Sequence, residues 1–161
     1  MRFAVPNLVP DPCIAQVPPQ VLFLCTGNYY RSRFAEELFN HLALEAGFSV
    51  RAYSLGFTPH PKTNPGPISK HALLALAKYG IVPERPHMPA SVSAEDFAQF
   101  KVCIVLCERE HRPMMEQMFP EFVDRVIYWR VEDLGLERPE NALAQIESAV
   151  RLLLAELANS K

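Results

Sequence analysis

Residues Val21–Phe39 read VLFLCTGNYYRSRFAEELF: an apolar run, a polar hook, then an amphipathic run. Val21–Leu24 has the continuous apolar character of a short strand covered on both faces. From Ser32 the pattern turns helical, with Phe34, Leu38 and Leu42 repeating at four and Gly47 placed to close the element. Between strand and helix lies Cys25-Thr26-Gly27-Asn28-Tyr29-Tyr30-Arg31-Ser32, a C-x5-R-S hook. A cysteine that only fills a core does not need an arginine and a serine at that spacing. A cysteine that handles an oxyanion does.

Downstream, Val50–Ser54 reads as a second strand, and FTPHPKTNPGP as a long loop in which Pro59, Pro61, Pro65 and Pro67 forbid regular structure. Ile68–Tyr79 reads as a helix stopped by Gly80. Ser93-Ala94-Glu95-Asp96 is a capping box opening a short helix. Val102–Leu106 is a fully apolar strand, and Glu108–Met118 a helix in which Pro113 is expected within the first turn. Val126–Trp129 is a fourth strand. Leu143, Ile146, Val150, Leu153 and Leu157 mark a closing helix. Strands alternating with helices imply an α/β fold, a three-layer sandwich around a mostly parallel sheet with right-handed crossovers. Ligands in such sheets sit beyond the strands' carboxyl ends, where Cys25, Cys107 and the segment after Trp129 converge.

At that edge the hook has a definite chemistry. Five residues between cysteine and arginine let the backbone curl so that several N–H groups of Thr26 to Tyr30 face inward, a nest for an oxyanion. The helix that follows adds the positive end of its dipole. Gly27 brings conformational freedom, and Asn28 tolerates a left-handed turn. Arg31 offers a planar fork for two phosphate oxygens, which lysine lacks. A thiol in this positive setting is favoured as thiolate, and a thiolate beneath a bound phosphate is an in-line nucleophile. Ser32 is placed to donate a hydrogen bond to the sulfur.

Composition narrows the class. The chain has 161 residues and a formal charge of -2 without any block of like charge, which argues against nucleic-acid or membrane-surface partners. No apolar run approaches a membrane span. Residues 1–20 hold five of the fifteen prolines and read as an arm, extended on the surface or disordered, rather than a signal peptide. Residues 21–161 form the expected domain. Cys13, Cys25, Cys103 and Cys107 make no C-x-x-C pair and read as reduced thiols of a cytoplasmic protein.

The hook, followed by Phe34-Ala35-Glu36, resembles the low-molecular-weight protein tyrosine phosphatase family, whose members show C-x-G-N-x-x-R-S and then an Ala-Glu helix. The resemblance runs from about Val21 to Leu157. It implies a four-stranded parallel sheet with helices on both faces, a cysteinyl-phosphate intermediate, and neither metal nor other cofactor. It also places Ser54 and His87, with Ser32, around Asn28 as its support. The family's general acid lies in an Asp-Pro pair after the fourth strand. In YWRVEDLGLERPE that position is Asp133, followed by Leu134, with Glu132 in reserve.

Two departures bear on function. Tyr29 and Tyr30 stand where these phosphatases carry an aliphatic residue and a second cysteine; one ring is expected to line the entrance and stack on an aryl substrate. Cys107 matches the second cysteine of the related thioredoxin-coupled arsenate reductases, but their third position is Met114 here. The leading expectation is therefore a cysteine-dependent phosphomonoesterase acting on a phosphotyrosine protein or a small aryl phosphate. Cys25 is its nucleophile, Arg31 its phosphate clamp, Asp133 its acid, and Ser32 assists the sulfur. An arsenate reductase-like thiol enzyme and a non-catalytic phosphate-binding module are the alternatives.

Overall fold

The computed structural model describes residues 19–83 and 86–160. The expected N-terminal arm lies outside the described residues apart from its last two. The elements in chain order are β1 (Val21–Cys25), α1 (Arg31–Glu45), β2 (Ala52–Gly56), α2 (Lys70–Ala77), α3 (Ala94–Gln99), β3 (Val102–Val105), α4 (Glu108–Met118), β4 (Ile127–Tyr128) and α5 (Pro139–Asn159), with a 3-10 turn at Pro120–Phe122. The sheet has four strands in the order β2-β1-β3-β4. All neighbours are parallel. The α/β sandwich expected from the alternation of strand and helix is the fold observed.

β1 organises both cores because its side chains alternate. Val21, Phe23 and Cys25 join α1, α2 and α5 in one cluster through Phe34, Leu38, Leu76, Ile146 and Val150. Leu22 and Leu24 join α3 and α4 in the other, with Phe97, Val105 and Met115. Phe23 sits edge-on to Phe39 at 5.9 Å and tilted to Trp129 at 5.6 Å, so the central strand pins a helix and the segment after β4 together. A ring so enclosed is worth roughly 3–5 kcal/mol against alanine. Cys103 belongs to the second core, and burial pushes its thiol up to about 11.

The boundaries differ from the sequence reading in three places. β2 lies two residues later than expected, because Gln20 and Val21 N–H groups both bond to Arg51 O and the register then pairs Cys25 with Gly56. β4 shrinks to two residues, since it pairs only with β3 at the sheet edge. Pro113 is the sixth residue of α4, in its second turn rather than its first. There it removes one helical N–H on an exposed face, which water can compensate. The capping box holds as read, with Ser93 N–H donating to Asp96 Oδ2 at 2.7 Å.

Parallel pairing puts the ends of β1, β2 and β3 at one edge, and Gly56 shows how closely they meet. A Cβ on Gly56 would lie 2.9 Å from Thr26 O and 3.0 Å from Asn28 N. Both are backbone atoms of the hook and cannot swing away. Gly56→Ala is therefore expected to cost about 1–3 kcal/mol of stability and to displace the hook; denaturant unfolding and oxyanion affinity measured on the same variant check both halves.

Candidate active site

The hook leaves β1 and turns into α1 through one left-handed residue, Asn28, at φ +50°. Its carbonyls are tied outward to the surrounding frame. Cys25 O accepts from Phe57 N at 3.0 Å, Thr26 O from Thr58 N at 2.9 Å, and Tyr29 O from Ser69 N at 2.8 Å. A trans peptide points its C=O and its N–H in opposite directions. The N–H groups of Thr26, Gly27 and Tyr30 therefore turn away from the frame, toward the concave side. Gly27 sits beneath Asn64: a Cβ there would collide with the Asn64 side-chain amide. The proline-rich loop thus closes over the hook.

A chain of hydrogen bonds runs from this turn into the core, and its polarity follows from its far end. Glu36 is a carboxylate, 4% exposed, and accepts only. Ser54 Oγ donates to Glu36 Oε1 at 2.7 Å, so it must accept from Asn28 Nδ2 at 2.9 Å. Asn28 Nδ2 spends its second hydrogen on Ser32 Oγ at 3.1 Å, and Asn28 Oδ1 accepts from Ala90 N at 3.1 Å. Ser32 keeps one hydrogen, and Cys25 Sγ lies 3.0 Å away. In the thiol form Cys25 Sγ donates to Ser32 Oγ; in the thiolate form sulfur accepts only, and the bond reverses so that Ser32 donates its hydrogen to it. Glu36 is held in turn by Arg33 at 2.5 Å and by His87 Nε2 at 2.9 Å, with His87 stacked on Tyr53.

Arg31 is buried beside the sulfur and its partners account for most of its donors. One terminal nitrogen donates to Val131 O at 2.9 Å, and the other to Glu110 Oε2 at 2.6 Å with Asp133 Oδ2 at 3.5 Å. Its Nε–H is buried without a partner. Leaving such a donor unmet costs about 1–3 kcal/mol, which an oxyanion in the bowl would recover. Burial opposes the charge on Arg31, but Cys25, Asp133 and Glu110 raise its proton affinity above the ordinary value.

Asp133 and Glu132 separate clearly. Glu132 makes a two-pronged pair with Arg109 at 2.9 and 2.6 Å on the exposed side of α4. Asp133 faces Arg31 with its side chain 43% exposed. The proline absent after Asp133 is replaced by a tight turn. Asp133 O accepts from Leu136 N at 3.2 Å and Glu137 N at 3.1 Å, Leu134 N–H donates to Asp133 Oδ1 at 2.9 Å, and Gly135 takes φ +92°.

The structure brings Cys25, Thr26, Gly27, Asn28, Arg31, Ser32, Ser54 and Asp133 into one site. The tyrosines divide: Tyr30 is buried at 6% exposure with an unpartnered hydroxyl that burial and then Asp133 push up to about 12, so only half-buried Tyr29 has surface for an arriving group. His87 supports Asn28 at two removes, through Glu36 and Ser54. Sequence reasoning missed Glu36 and Arg33 as a buried pair, and missed Glu110 and His111 altogether. Charged residues three and four apart on a helix look like a solvated face, and only the Ala-Glu spacing after the hook hinted otherwise. Cys107 is buried at the N-terminus of α4, and burial raises its thiol. Among the described residues no third cysteine follows it, so a three-thiol relay has no final member.

The model of the low molecular weight phosphotyrosine protein phosphatase family matches residues 20–161. The chain belongs to that family. It is accordingly a hydrolase of the cysteine-dependent phosphatase type. A curated relative, the protein-arginine-phosphatase of Bacillus subtilis (strain 168), is 27% identical over 106 residues, covering 66% of this chain and 67% of the relative. Among solved structures, the low molecular weight protein tyrosine phosphatase from T. tengcongensis superposes with a TM-score of 0.71 at 25% identity, covering 86% of this chain and 99% of that one. The phosphotyrosine phosphatase VcLMWPTP-2 from Vibrio cholerae O395 gives a TM-score of 0.74 at 19% identity, over 89% of this chain and 99% of that one, and bears on the fold. Among the described residues no helix is long and apolar enough to cross a membrane.

Glu110 gives this site a signature in acid. Burial alone would raise its pKa, but the hydrogen bond from His111 and the charge of Arg31 win, lowering it from 4.5 to about 2. A folded pKa depressed below the unfolded one stabilises the protein above pH 4.5, and that stabilisation fades as pH falls toward about 2. Unfolding free energies measured across this window should fall more steeply for the wild-type protein than for Glu110→Gln; parallel slopes would contradict the assignment.

Proposed function

We propose that this phosphatase hydrolyses phosphomonoesters on proteins, phosphotyrosine first among them, through a cysteinyl-phosphate at Cys25. The observation that carries the reading is the sulfur at the floor of the loop, 3.0 Å from Ser32 Oγ, together with a buried Arg31 whose Nε–H has no partner. In the first step the Cys25 sulfur attacks phosphorus in line, the P–O ester bond breaks, and the Asp133 proton passes to the departing oxygen. In the second, water attacks phosphorus, gives its proton to Asp133 and breaks the S–P bond, releasing inorganic phosphate. Loop N–H groups and Arg31 hold the three non-bridging oxygens throughout, so positioning and charge stabilisation supply most of the rate. Ser32 lowers the cost of expelling sulfur in the second step.

A second substrate class is favoured by one finding, the likeness to an arginine phosphatase. The same two steps cleave a P–N bond, with Asp133 protonating the guanidine nitrogen. The half-buried ring of Tyr29 supports the aryl ester, against which it can lie flat. No protein group in the described site supplies the thiols that arsenate reduction would need beyond Cys25 and Cys107. The composition of the thiols supports a reducing, cytoplasmic setting.

Phosphotyrosine and phosphoarginine peptides, compared on the full chain with Cys25→Ser and Asp133→Asn, test the reading. Cys25→Ser should abolish turnover of both. Asp133→Asn should lower kcat by about 10²–10⁴ for esters of poor leaving groups and much less for good ones. Turnover that survives Cys25→Ser, or equal slowing across leaving groups, would refute the mechanism. A kcat/KM that favours phosphoarginine would move the substrate assignment. Tight phosphate binding without hydrolysis would make the chain a binding module.

A further inference from the structure

The proposed chemistry leaves out two residues behind Arg31: Glu110, which bonds to its guanidinium, and His111, which holds Glu110. Glu110 and His111 lie in the first turn of α4, whose N-terminus abuts the hook. His111 is fully buried and stacks on Phe57 with centroids 5.4 Å apart. Cys107 N–H donates to its Nδ1 at 3.1 Å, so Nδ1 carries no hydrogen and the ring proton resides on Nε2. That Nε2 lies 2.7 Å from Glu110 Oε2 and 3.0 Å from Thr26 Oγ1. Protonating Nδ1 as well would set two donors against each other, so the ring is locked neutral in one tautomer.

One carboxylate oxygen therefore takes two hydrogen bonds. Glu110 Oε2 accepts from His111 Nε2 and from the Arg31 terminal nitrogen at 2.6 Å. With Val131 O holding the other terminal nitrogen at 2.9 Å, the guanidinium plane is fixed at two points. Its third corner, Nε–H, is left buried and unmet. Two anchors on one edge decide which donor the plane presents on the opposite side.

We propose that Glu110, held by His111, is a positioning residue that sets the rotation of the Arg31 guanidinium and keeps its Nε–H turned toward the bound oxyanion. The role rests on the function proposed above, since it matters only if Arg31 holds a transferring phosphoryl group. It does not depend on the negative charge of Glu110. A carboxylate beside a phosphate site repels the ligand; what Glu110 contributes is one oxygen in the right place. Glutamine can put its carbonyl oxygen at the same point and keep both hydrogen bonds. Alanine cannot. The contact to Thr26 extends the same anchor to the second residue of the loop.

The experiment compares Glu110→Ala, Glu110→Gln, Arg31→Lys and the double variant Arg31→Lys/Glu110→Ala. kcat and KM are measured on an aryl phosphate, and inorganic phosphate binding is measured by calorimetry. Glu110→Ala is expected to lower kcat/KM about tenfold or more, chiefly in kcat, and to weaken phosphate binding, while Glu110→Gln stays within about threefold of wild type. In the Arg31→Lys background the alanine substitution should change kcat/KM less than about twofold, because the plane it orients is gone. His111→Ala, if it folds, should reproduce part of the Glu110→Ala loss.

Three results would overturn the role: Glu110→Ala matching wild type, Glu110→Gln falling as far as Glu110→Ala, or the full alanine loss persisting in the Arg31→Lys background. Tighter phosphate binding in both Glu110 variants would equally refute it, since Glu110 would then act only as a repelling charge. A wild-type protein that binds phosphate yet cleaves no ester would sink the proposed function alone. The calorimetric ranking of the variants would still decide the positioning role.

Discussion

A carboxylate accepts hydrogen bonds and never donates them, and here that one-way property is carried from Glu36 to Ser32, the neighbour of Cys25. Glu36 fixes the direction of Ser54, Ser54 fixes the amide of Asn28, and Asn28 donates to Ser32, whose own hydrogen turns to the sulfur once that is a thiolate. Each link is buried, so water cannot substitute for a missing partner or reverse the polarity. The same links hold the left-handed turn, a conformation that costs a non-glycine residue about 1 kcal/mol and persists only where its surroundings insist on it. Shape and electrostatics of the loop thus come from one network.

The scaffold exists to bring the ends of that network together. Ser54 sits on β2, Cys25 on β1, Glu36 and Ser32 on α1, and parallel pairing of β1 with β2 sets Phe23 beside Ser54 and Cys25 beside Gly56. Arg33 is fully buried, yet it is neutralised by Glu36 and Glu37 and donates its third group to Pro67 O at 3.1 Å. It ties the proline-rich loop to the helix behind the hook. Buried ion pairs add little net stability compared with apolar packing. Here the triad fixes where Glu36 points, which is a matter of geometry. On the opposite side of the bowl Glu110 and His111 do the corresponding service for Arg31.

The sequence disclosed what is local and withheld what is distant. β1, the hook and α1 are contiguous, so apolar periodicity and the C-x5-R-S spacing sufficed to place Cys25, Asn28, Arg31 and Ser32. Asp133 emerged only through resemblance, because leucine stands where the family's proline would mark the loop; the Gly135 turn that stiffens it leaves a weak sequence trace. His87 was placed near the right partners, but the intervening Glu36 was invisible: a glutamate three residues after an arginine on a helix looks the same whether solvated or enclosed. Glu110 and His111 lie 79 and 85 residues from the groups they contact, and Glu108-Arg109-Glu110-His111 at a helix start is ordinary composition until the sheet sets it against the loop. Which of the two loop tyrosines lines the entrance was open in the sequence; the structure encloses the ring of Tyr30 and leaves that of Tyr29 half-buried.

The hydrogen of Ser32 meets the sulfur when that carries negative charge, and so eases its departure from phosphorus. Rapid-quench kinetics on an aryl phosphate with Ser32→Ala test this directly, by following the released phenol and the protein-bound phosphate together. Loss of that hydrogen bond is expected to slow hydrolysis of the cysteinyl-phosphate more than its formation, so a phenol burst appears and labelled enzyme accumulates. Equal slowing of both steps, with no phosphoenzyme beyond the wild-type level, would contradict it.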